Sequence, residues 1–108
     1  MSAHSFNPKN YDTPADFEAD RILRHKAARK LHQAEWAKED DDIDDAILEI
    51  RRASALVMKM HFPVAAAVAL MAEGIDAIHG YSYDSEALRA ANALIAPGEE
   101  FRDARSPF

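Results

Sequence analysis

The chain contains no cysteine, which excludes disulfides and thiolate metal sites. Glycine and proline are scarce, 3 and 5 in 108 residues, and lie mostly toward the two ends, so little breaks the long middle of the chain. No glycine-rich phosphate loop is present. The longest apolar run, Phe62 to Ala72, has 11 residues against about 20 needed to span a bilayer. The opening "MSAHSFNPKNYDTP" lacks the positive and apolar regions of a signal peptide. Positive charge is not in excess: 13 Lys and Arg face 19 Asp and Glu, a net charge of −6 shared evenly between the halves, with no basic tail. General attraction to nucleic acid or to anionic membrane is therefore disfavoured. These features give the expectation of a soluble cytoplasmic protein without membrane contact, cofactor or bound metal.

What the chain has is alanine, charge and helical spacing. Its length suits a single domain over 1–108 that buries roughly 65% of its unfolded surface, with a loose arm at 1–12 and a polar tail at 97–108. Within the arm, Phe6 and Tyr11 are candidates to dock on the body. Thr13, Pro14 and Asp16 form a helix start, as cap, first helical residue and third position. The spacing predicts a helix over 14–38 with Leu23, Ala27, Leu31 and Ala34 as its apolar stripe. A second helix over 42–61 places Ile43, Ile47, Ile50, Ser54, Val57 and His61 on one face, widened by Ala46, Ala53 and Met60. Asp45, Glu49, Arg52 and Lys59 fall opposite. Leu48, Ala55, Met58 and Phe62 add a second apolar side, which predicts a central helix.

Pro63 ends or kinks that helix, since it lacks an N–H and disfavours a helical residue before it. A third helix over 64–79 is apolar nearly all round, with Val64, Val68, Met71, Ile75 and Ile78 on one face and small residues Ala65, Ala66, Ala69 and Gly74 on others. A surface of that kind needs cover on several sides, which predicts a homodimer through Val64 to Ile78. Gly80 stops the helix, "YSYDS" turns, and Asp84 caps a fourth helix over 85–96 that ends at Pro97 and Gly98. The expected fold is all-α: a small bundle of about four helices whose middle two form a central antiparallel pair.

Four constellations carry the functional reading. "DDDIDD", Asp40 to Asp45, supplies positions 1, 3 and 5 of a calcium loop, but position 6 is Asp45 where the turn needs Gly, and position 12 is Arg51 where the ion needs Glu. Carboxylates at the start of a helix serve its free N–H groups and its dipole, so the run reads as a helix boundary, with an acidic patch for a basic partner as the alternative. The basic stretch Arg21 to His32 has no acid, yet its cations spread round the helix and no aromatics interleave. It supports a nucleic-acid-binding regulator only as a second reading.

Along the side of the first helix that misses its core stripe stand Ile22, Arg29 and Trp36, seven apart, with His25, His32 and Gln33 beside them. Trp and Arg anchors are the chemistry of protein interfaces; cover by the tail or the arm is the alternative. Among the histidines, His25 and His32 are seven apart, where zinc-binding pairs on a helix are four apart, and His61 and His79 suit helix C-termini. A composite of His61, His79, Glu73 and Asp76 is spread too far along a hairpin. Ser82 and Ser85 have no positioned base. The expectation is a small non-enzymatic regulator, an inhibitor, antiactivator or chaperone-like adaptor, that binds a second protein through Ile22, His25, Arg29, Gln33 and Trp36.

Overall fold

A computed structural model of the chain describes residues 9, 11–61, 64–79 and 86–95, and of 65, 66 and 77–79 the backbone alone. Four α-helices follow one another: α1 Pro14–Glu39, α2 Ile43–Val57, α3 Ala65–His79 and α4 Glu86–Ala93. Among the described residues there is no strand. The all-α bundle expected from the spacing is the observed one.

Helix α1 starts as the cap chemistry requires. The Thr13 hydroxyl accepts the Asp16 N–H at 3.1 Å, and Pro14 opens the first turn, where its missing N–H would have had no helical partner. At the other end, Asp40 closes α1 and Asp41 takes a left-handed conformation with φ 61°. The Asp41 N–H reaches Lys38 O at 3.1 Å and the Asp42 N–H reaches Ala37 O at 2.8 Å, the paired bonds of a Schellman stop. Asp42 then caps α2, its Oδ1 accepting the Asp45 N–H at 3.2 Å. The aspartate run is thus a joint between two helices, and the twelve-residue calcium loop has no room.

So short a connection lays α2 back along α1. The most extensive pairing is α1 with α2, followed by α3 with α4; α4 also packs on α1, and α2 with α3 makes the smallest of these four contacts among the described residues. The middle pair expected to be central is therefore present but secondary, because α1 offers α2 a longer and smoother surface. That surface is alanine-rich: Ala27, Ala28, Leu31, Ala34 and Ala37 of α1 meet Ala46, Ile47, Ile50, Ala53, Val57 and Met60 of the α2 segment in one apolar core with Val64, Ala67, Met71, Ala87, Ala90, Ala91 and Leu94. Small side chains at the seam allow the two axes to approach closely.

Several positions differ from the spacing. The buried line of α2 runs through Ala46, Ile50, Ala53, Val57 and Met60, so the residues expected to widen its stripe form the centre, Ile43 and Ser54 are half-buried, and His61 is exposed. Glu49, expected opposite the core, is buried, with Arg52 at 3.2 Å and Lys30 of α1 at 3.9 Å. Helix α2 also ends earlier: the Lys59 and Met60 N–H groups bond Leu56 O and Val57 O, tightening into three-residue turns before Pro63.

In α3 the buried face is Ala67, Met71 and Gly74, continued from Val64 just before it, with Val68, Leu70 and Ile75 half-buried. A Cβ at Gly74 would stand 3.5 Å from Glu86 Cβ, 3.6 Å from Ala87 N and 3.7 Å from Ile50 Cδ1, so α2, α3 and α4 meet there. The exposed described positions of α3 are Ala69, Ala72, Glu73 and Asp76. At the described positions the apolar face of α3 on which a homodimer was expected is covered in part within one chain, with Val68, Leu70 and Ile75 half-buried; Ile78 lies outside the described side chains. So do the Gly80 stop, the Asp84 cap, Pro97 and Gly98, Phe62, and all of the arm and tail except Lys9, Tyr11 and Asp12.

Candidate functional site

The face predicted for partner binding runs along α1. Ile22 is 41% exposed, while His25, Arg29, Gln33 and Trp36 are each half-buried. These five residues share one side because spacings of 3, 4, 4 and 3 keep step with the helical turn. The His32 ring lies 6.5 Å from the Trp36 ring, tilted by 50°. Arg29 Nε and Gln33 Oε1 are buried and have no hydrogen-bond partner among the described residues. An arginine donor and an amide acceptor one turn apart, both withdrawn from water and unmatched, are uncommon in folded chains, where most such atoms are satisfied.

The basic stretch Arg21 to His32 does not form a single cationic surface. Arg24 is inside the protein, 1% exposed, its Nη1 donating to Leu94 O at 2.9 Å. Arg21 pairs with Glu18, and Lys30 lies against Glu49. A phosphate-tracking groove would need those cations together and outward. Arg24 serves instead at the end of α4, where its guanidinium satisfies a helix-terminal carbonyl.

Sequence reasoning missed a second polar centre, built on Asp20. This carboxylate is 1% exposed. Its Oδ2 accepts the Tyr11 hydroxyl at 2.6 Å, and its Oδ1 accepts the His61 backbone N–H at 2.9 Å with the His61 Nδ1 at 3.3 Å. The imidazole Nε2 lies 3.7 Å from Asp16. Tyr11 stacks edge-on to Phe17 at 5.4 Å and is itself buried. Burial, and then the bond to Asp20, hold its phenol pKa above the ordinary 10.0, so the hydroxyl remains a proton-bearing donor. One carboxylate thereby ties the arm at Tyr11 and the segment after α2 onto α1. The signal was present: Asp20 and Arg24 extend the Ala27, Leu31, Ala34 register backward by one heptad, placing both charges on the core face.

Among the described residues no three His, Asp or Glu side chains converge to hold a metal ion, and no helix is long and apolar enough to cross a membrane. In the composite of His61, Glu73, Asp76 and His79, the first three are exposed and the His79 side chain is not described. Ser82 and Ser85 lie outside the described residues. No family model, no curated protein and no solved structure matches the chain.

Proposed function

We propose that this chain is a small non-enzymatic regulatory protein that binds another protein through Ile22, His25, Arg29, Gln33 and Trp36 of α1. The observation that carries the reading is the unmatched pair Arg29 Nε and Gln33 Oε1 beside a half-buried Trp36. Each buried, unmatched polar atom costs about 1 to 3 kcal/mol. A partner that draws the two side chains outward and completes their bonds gains part of that back on docking. Trp and Arg at the centre with Ile22 at the edge follow the composition of energetic anchors. Lys26, exposed on the same helix one turn before Arg29, adds positive charge at the rim of the face, which suits an acidic partner surface. With that role we place the chain in the cytoplasm, where a protein without cysteine loses nothing to a reducing environment.

The test compares partner capture and folding in one variant. Trp36→Ala is expected to lower capture of partner from the native host at least tenfold, about 1.4 kcal/mol, while thermal unfolding moves by a few degrees. A variant that captures as the parent does, or one that unfolds with a loss of several kcal/mol, assigns Trp36 to the core and ends the reading.

A further inference from the structure

Among the described residues, the second side of α2 has no cover. Leu48 is 43% and Met58 62% exposed, and Ala55 between them is exposed as well. With Asp44 and Arg51 they stand at 44, 48, 51, 55 and 58, the alternating fours and threes of a helix-pairing seam. The core of the monomer already uses the other side of this helix. Asp44, Ile47, Leu48 and Arg51 also line an open depression. Positions i, i+3, i+4 and i+7 of one helix are the corners of the hole that receives a knob from a facing helix.

Charge on this surface is sorted along its length. Asp40, Asp41, Asp42, Asp44 and Asp45 are exposed at the α2 N-terminus, Arg51 and Arg52 are exposed near its middle, and Lys59 is exposed just past its C-terminal end. Arg52 is engaged by Glu49, whereas Arg51 and Lys59 have no ion-pair partner among the described residues. A surface acidic at one end and basic at the other is complementary to a copy of itself turned end for end. A parallel copy would set acid on acid.

We infer that this face of α2 is a self-association surface, on which α2 of a second copy lies antiparallel, its Met58 seated among Asp44, Ile47, Leu48 and Arg51. The two-fold axis crosses the middle of the helix, so the same knob enters the same hole twice, and Lys59 of each copy lies beside Asp44 and Asp45 of the other. Two such helices alone bury less than about 1,200 Å² in total, the range of weak and transient contacts. The association is therefore concentration-dependent, and it leaves the α1 face free for a different partner.

Light scattering coupled to size exclusion, on the full chain from low to high micromolar concentration, tests this. The mass is expected to rise from 12.0 kDa toward twice that value. Leu48→Glu with Met58→Glu, both at exposed positions, should hold the chain monomeric throughout with its helical circular dichroism unchanged. Lys59→Glu alone and Asp44→Lys alone should each weaken the dimer roughly three- to tenfold, and the two together should restore it. Within one chain those residues are about 22 Å apart along the helix, so rescue requires a second copy. A monomer at every concentration, a dimer indifferent to Leu48→Glu and Met58→Glu, or a double charge exchange that fails to rescue would each overturn the assignment, as would a monomer that uses this face to hold another protein.

Discussion

Two of the joints of this chain, those on either side of α2, are held by opposite means. Between α1 and α2 every bond is local: Asp41 to Lys38, Asp42 to Ala37, and the Asp42 carboxylate to the Asp45 N–H. After α2 the bond that stands out is distant, since the His61 N–H goes to Asp20, 41 residues earlier. The first joint needs only its own residues; the second needs α1 already in place. Local joints therefore divide their energy into small shares, while the distant joint concentrates it on one buried carboxylate.

Removing that carboxylate is the strongest way to break the comparison. Asp20→Ala leaves the Tyr11 hydroxyl and the His61 N–H without their acceptor, and a loss of about 3 kcal/mol is expected, read by urea unfolding of the full chain. A loss below about 1 kcal/mol would mean that the second joint stands without Asp20. Tyr11→Phe removes a single bond and should lose about 1 kcal/mol at neutral pH. Its pH dependence has a definite sign. The phenol pKa is higher folded than unfolded, so the contribution of Tyr11 is constant below the unfolded value of 10.0 and declines above it, because the unfolded chain ionises first. The stability gap between parent and Tyr11→Phe should narrow as the solution is made more alkaline, and comparing the two proteins cancels the other tyrosines.

The same division explains what could be read from the sequence. Thr13, Pro14, Asp42 and the apolar repeats act on their own neighbours, and the helices they imply stand close to where they were expected. The end of α2 was misplaced by four residues, His61 against Val57, because its last turn tightens and His61 gives its N–H to Asp20. Glu49 was placed opposite the core since its charge dominates any single-helix view, and only Lys30 of α1 across the seam gives it reason to be inside; Asp20 and Arg24 stand in the extended register of α1 itself. For the candidate site, the face from Ile22 to Trp36 was legible as a register, while the unmatched state of Arg29 and Gln33 depends on what packs beside them. The exposed side of α2 was legible as a second apolar side, although it was read as a sign that the helix is central.

The local joint yields the smaller effects. Asp42→Ala removes the acceptor of the Asp45 N–H and should lose about 1 kcal/mol, with the unfolding slope unchanged. At Asp41 the sign reverses. Its φ of 61° is a conformation that side chains with a Cβ occupy at a penalty and glycine occupies freely; aspartate tolerates it better than most, so the penalty is at the low end. Asp41→Gly also removes one of five neighbouring negative charges. The variant is expected to gain about 0.5 to 1 kcal/mol, a rise in Tm of several degrees for a domain of this size, whereas Asp41→Val should lose stability by at least as much. Scanning calorimetry of the three proteins decides the point: if glycine brings no gain over aspartate, the Asp41 carboxylate is itself a stabilising contact of the joint, and the acidic run does more there than end one helix and begin the next.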